Sequence, residues 1–128
     1  MNAHSPIPKE RSVQRSILAM CGALFPDVLI HHSAVVKLRG TDAERKRQGG
    51  ILKGDGHKAG WPDLIFVWKG GIAFAEVKRE KGGVTSPAQK AMHERLESLG
   101  WPVATVTTPE AAYAFLRGCG APHVGAMM

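Results

Sequence analysis

A chain of 128 residues can bury one modest core, and 44% hydrophobic with 22% charged content is ordinary for a single soluble globular domain. No apolar run approaches the ~20 residues of a bilayer span. The first residues carry no basic-then-apolar leader, and Cys21 and Cys119 lie far apart and outside any Cys-x-x-Cys pair. The expectation is therefore a cytoplasmic protein without a disulfide framework or a structural zinc site.

Residues 1–8 hold two prolines and little apolar content, which reads as a flexible tail. From about Lys9 to Phe25 the residues Val13, Ile17, Leu18, Met20, Cys21 and Leu24 recur at helical spacing, and Pro26 ends the run. Val28 to Val36 is β-prone. The segment 37–60 is rich in glycine and reads as a mobile basic loop, with one helical turn near Ala43–Arg47 at most. Leu64–Trp68 and Ile72–Lys78 are β-prone runs around Lys69-Gly70-Gly71, the strongest hairpin signal in the chain.

Ser86-Pro87 offers an N-cap and an N1 proline for a helix to about Leu99, where Gly100 stops it. Its apolar residues Ala88, Ala91, Met92, Leu96 and Leu99 form one stripe. Val103–Thr107 reads as a further strand, and Trp101 just before it as a core residue. Thr108-Pro109 then opens a last helix to about Arg117, closed by Gly118. The order predicts one α/β domain over 9–118, a small central mixed sheet flanked by helices, with 119–128 as a C-terminal tail.

The net charge of +6 is unevenly placed. Lys37, Arg39, Arg45, Lys46, Arg47, Lys53 and Lys58 face only Asp42, Glu44 and Asp55 within the basic segment, which alone supplies +4. Such a field suits a phosphate backbone; charge alone fits a solvated surface loop as well.

The hairpin count locates the chemistry. If Trp68 pairs with Gly71 across a two-residue turn, Asp63 falls opposite Glu76, with Cβ atoms ~5 Å apart on one face. Lys78 points to the same face, because strand side chains alternate. Two carboxylates so placed repel unless positive charge lies between them, and a hard divalent cation with Lys78 beside it would supply that charge. A cation held this way is suited to phosphodiester hydrolysis. A decoy with the same spelling, Pro26-Asp27 followed by Glu44-Arg45-Lys46, lacks any strand that would hold its carboxylates together. A cross-strand salt bridge is the structural alternative for Asp63, Glu76 and Lys78. His31 and His32 adjoin, so on a strand they face opposite ways and cannot chelate one metal.

Gly60-Trp61-Pro62-Asp63-Leu64, Ala75-Glu76-Val77-Lys78, Gly83-Val84-Thr85-Ser86-Pro87-Ala88-Gln89 and Leu99-Gly100-Trp101-Pro102-Val103, in that order, resemble the VRR-NUC family. These are virus-type replication-repair nucleases of the PD-(D/E)XK superfamily. The resemblance spans nearly the whole chain and implies a PD-(D/E)XK core. It also implies a Mg²⁺ or Mn²⁺ site on Asp63 and Glu76, completed by the Val77 carbonyl, with Lys78 catalytic. Gln89 is implied near the metal-bound water or the scissile phosphate, and Glu10 matches a polar residue that often completes the site; helix-dipole compensation also accounts for Glu10. The departure is Ser33-Ala34, where family members often carry Pro-Asn. By resemblance the function is a structure-selective DNA endonuclease, a candidate Holliday-junction resolvase and homodimer of phage or bacterial DNA repair. The alternatives are a non-catalytic nucleic-acid-binding protein on the same fold, or a restriction-type subunit without its specificity partner.

Overall fold

A computed structural model describes residues 9–33, 38–56 and 58–127. The first apolar run forms helix α1 (Glu10–Leu24), and the side chains it buries are Val13, Ile17, Met20 and Cys21. That three- and four-residue spacing is one stripe of a helix. The Phe25 N–H closes onto the Cys21 carbonyl, and Pro26 cannot extend the ladder. Strand β1 (Leu29–His32) takes up part of the β-prone stretch; residues 34–37, including Lys37, lie outside the described residues, as do residues 1–8.

The segment expected to be a loop instead contains a 13-residue helix, α2 (Asp42–Gly54). Its start is a capping box: the Thr41 side chain accepts from the Glu44 N–H, and the Glu44 side chain accepts from the Thr41 N–H. That reciprocal cap offsets part of the cost of Gly49 and Gly50 in the helix, about 1 kcal/mol each. Helix α2 buries none of its side chains, so hydrophobic periodicity had nothing to mark.

Strands β2 (Leu64–Trp68) and β3 (Gly71–Val77) form the expected hairpin. Helix α3 (Pro87–Ser98) then crosses over to β4 (Val103–Val106), which runs parallel to β3, and α4 (Pro109–Gly118) ends the core. The result is a four-stranded mixed sheet in the order β1-β2-β3-β4, antiparallel except for its last pair. No helix among the described residues is long and apolar enough to cross a membrane.

Both faces of β3 are covered, which is why it reads as a near-continuous apolar run. On one face Leu64, Phe66, Ala73, Ala75 and Val77 pack against α1 and α4, with Ile17, Phe25 and Leu116 fully buried between them. On the other face Phe74 and Glu76 lie on the α3 side of the sheet. Helix α3 meets that face with Gln89, His93 and Leu96, spaced i, i+4, i+7, and not with the expected stripe. Of that stripe only Leu96 is buried; Met92 is half-buried and Ala88, Ala91 and Leu99 are exposed. Gln89 and His93 instead turn inward to meet Lys78 and Glu76. Trp101, expected in the core, is 41% exposed. Beyond α4 the chain packs back on α1, with Ala121 buried and the Val124 N–H donating to the Leu24 carbonyl at 2.8 Å.

Candidate active site

The hairpin turn sets the site. Trp68 pairs with Gly71 and Leu64 with Ala75, as a two-residue Lys69-Gly70 turn requires, and Gly70 takes up the left-handed backbone of that turn at φ 93°. Asp63, one residue before β2, is thereby carried opposite Glu76. Its Oδ2 accepts from the Val77 N–H at 2.8 Å, which pins the carboxylate against β3. A turn one residue longer would have put the two carboxylates on opposite faces. Gly60 and Pro62 set the approach to Asp63. A Cβ at Gly60 would stand 2.2 Å from the Ala88 carbonyl oxygen, and its φ of 89° suits glycine, so this residue lets the chain run under the start of α3.

Glu76 is the most unusual group in the molecule, an acid only 1% exposed. Burial pushes its pKa from 4.5 up to about 9. A proton-sharing contact with Asp63 and the charges of Asp63 and Glu10 push the same way, while Lys78 opposes them. Without a cation the site therefore holds a proton that two ionised carboxylates would not. Lys78 Nζ lies 3.9 Å from Glu76 Oε2 and donates to Gln89 Oε1 at 3.3 Å. The same Gln89 oxygen accepts from the Ser86 N–H at 2.9 Å, so the cap of α3 also steadies Lys78. Gln89 is thus engaged at the site and is not a free surface residue.

Glu10, in the first turn of α1, borders a cleft of about 460 Å³ together with Asp63, Arg11, Arg15 and His32. His32 faces this cleft because it pairs with core-facing Leu64, whereas His31 pairs with Ile65 and points to the other face. Both histidines are exposed, in keeping with neighbours that cannot share a ligand. Val77 shows its amide bound to Asp63 and its side chain in the core. Arg39, Arg45, Lys46, Arg47 and Lys53 lie on or beside α2, and Lys58 follows it, all exposed; Arg45 is already paired with Asp42.

Three participants were not singled out from the sequence. Arg11 and Arg15 stand one helical turn apart beside Asp63, and their own i, i+4 spacing just after Glu10 was the available signal. His93 approaches Glu76, its Nε2 lying 3.4 Å from Oε1. Burial lowers its pKa, partly opposed by the charge of Glu97.

The donor set bears on whether a cation fits. Among the described residues no three His, Cys, Asp or Glu side chains are grouped to hold a metal by themselves. What the site offers is two opposed carboxylates, one of them protonated in the absence of a cation, beside backbone and an open cleft. Hard oxygen donors of this kind suit a small divalent cation that keeps several waters. On binding it they would release the shared proton to solvent. No protein-family model matches the chain, and no curated protein matches it either.

Proposed function

We propose that this protein is a Mg²⁺- or Mn²⁺-dependent nuclease with a PD-(D/E)XK core of the VRR-NUC type, cutting branched or duplex DNA. The observation that carries the reading is the constellation around Glu76. A buried acid is held in register opposite Asp63, with Lys78 beside it and Gln89 steadying that lysine. A structural salt bridge would place Glu76 as an ionised partner of Lys78, but its pKa is raised, and the 3.9 Å separation is long for such a pair.

In this reading Asp63 and Glu76 hold the cation, with the Val77 carbonyl completing the protein's share. A Mg²⁺ or Mn²⁺ ion held there would supply an activated water and charge stabilisation at the phosphoryl oxygens. Lys78 orients that water and offsets charge developing at phosphorus. Gln89 keeps the lysine aimed, and Glu10 borders the opposite wall. Arg11 and Arg15 flank the cleft where the phosphate chain would run, and the exposed bases of α2 extend the contact along the backbone. Exposed arginines and lysines suit phosphate contacts, which favours recognition by shape over sequence. Two strands need two sites, so the protein is proposed to act as a homodimer, a form that sedimentation with and without DNA would reveal.

The test is metal-dependent cleavage of supercoiled plasmid, single-stranded DNA and a four-way junction. Cutting that needs Mg²⁺ or Mn²⁺ and favours the junction supports the proposal. DNA binding without cutting under any metal would overturn it.

A further inference from the structure

We infer that His93 is a positioning residue for Glu76, donating from Nε2–H to Oε1 and so fixing which carboxylate oxygen faces the cation. The inference rests on the nuclease reading of Glu76 and goes beyond it. Glu76 Oε1 and His93 Nε2 are each fully buried, each without a hydrogen-bond partner, and they face one another at 3.4 Å. Nearly all buried polar groups are paired, so two orphaned atoms lying side by side call for an explanation. Here each is the other's available partner, and a shift of a few tenths of an ångström would close the bond.

The orientation of Glu76 gives this contact its consequence. Oε2 is the oxygen on the Lys78 side, while Oε1 points under α3. With Oε1 tied to the imidazole, the carboxyl group cannot rotate freely, and Oε2 stays presented toward Asp63 and Lys78. Direct ligation by His93 is disfavoured by the same burial: neither facing atom touches solvent, leaving no room for a cation with its waters. A histidine that bonds a metal-ligating carboxylate is a known way of orienting it, and losing such a partner typically weakens metal binding 10–100-fold. The residue reaches this place because α3 puts Gln89 and His93 one turn apart on its inner face, one for Lys78 and one for Glu76.

The experiment measures Mn²⁺ affinity by calorimetry for the parent, Glu76→Gln, His93→Leu and His93→Gln, with a thermal melt of each. In parallel, long-range ¹H–¹⁵N spectra of the metal-free parent and Glu76→Ala read the His93 tautomer. The inference expects Mn²⁺ binding lost in Glu76→Gln, weakened 10–100-fold in folded His93→Leu, and largely restored in His93→Gln, whose amide N–H reaches the same place. It expects an Nε2–H tautomer that becomes mixed in Glu76→Ala, a result available even if His93→Leu does not fold. Binding that depends on Glu76 but ignores His93→Leu overturns the positioning role alone. Equal loss in the Leu and Gln variants makes His93 a ligand and overturns it too. No Mn²⁺ binding by the parent overturns it together with the nuclease reading.

Discussion

Replacing Glu76 by glutamine should make the metal-free protein more stable at neutral pH, and the gain should vanish in acid. Burial and Asp63 raise the Glu76 pKa from 4.5 to about 9, so between those values the folded chain binds a proton that the unfolded chain has lost. A raised folded pKa contributes stability that is fully present below pH 4.5 and is lost as pH rises toward 9. Over the interval from 4.5 to 7, at about 1.4 kcal/mol per unit, the parent forfeits about 3 kcal/mol. Glutamine keeps the shape of the protonated acid and does not titrate, so it escapes this loss. For a domain of this size the difference is a melting temperature higher by roughly 10 °C. Urea or thermal denaturation of both proteins in chelator, at pH 4.5 and pH 7, reads it directly. Parallel pH profiles, or a variant less stable than the parent at pH 7, would show Glu76 to be an ionised structural partner of Lys78 and refute the reasoning.

Cation binding should run the opposite way with pH. Below about 9 a cation must displace the Glu76 proton, so Mn²⁺ affinity should rise with pH by up to about tenfold per unit, with one proton released per ion. Calorimetry in two buffers of different ionisation enthalpy measures that proton, and buffer-independent heats would contradict it. Gly60→Ala should cost about 2 kcal/mol or more, since it adds a methyl 2.2 Å from the Ala88 oxygen on a backbone of positive φ; chemical denaturation gives the value, and a neutral result would mean that α3 can move away. Charge reversal at Arg11 and Arg15 should weaken DNA binding for all sequences alike and lower its salt slope by about one for each phosphate no longer neutralised. Reversal at Lys46, Arg47 and Lys53 should do the same if α2 lies along the backbone. An unchanged slope in gel-shift titrations would mark either group as plain solvated surface.

The parts of the site that were legible from sequence are those fixed by local geometry. A two-residue turn leaves one register, so the opposition of Asp63 and Glu76 followed from counting, and alternation placed Lys78 with them. Ser86-Pro87 and Thr108-Pro109 announced their helices because caps are written in single residues. Helix α2 was hidden for the converse reason. Its only signature was Thr41-x-x-Glu44, while the two mid-helix glycines and the polar circumference argued for a loop. His93 was hidden because the rotation of α3 depends on what lies beneath it. Apolar spacing favoured the Ala88–Leu99 stripe, yet Gln89 and His93 turn inward to meet the polar groups of Lys78 and Glu76. Only the assembled sheet shows Glu76 to be buried, and burial is what decides between a salt bridge and a shared proton.

The most direct measurement is cleavage of a four-way junction in Mg²⁺ by parent and Glu76→Gln at matched folded concentration, with DNA binding measured in chelator alongside. The variant should fold and bind DNA in chelator about as tightly as the parent, since metal-free Glu76 is already protonated at neutral pH, while its cleavage rate falls by at least about 100-fold. Folded Glu76→Gln that cuts at the parental rate would contradict a metal-holding role for Glu76, and with it the nuclease reading of the site.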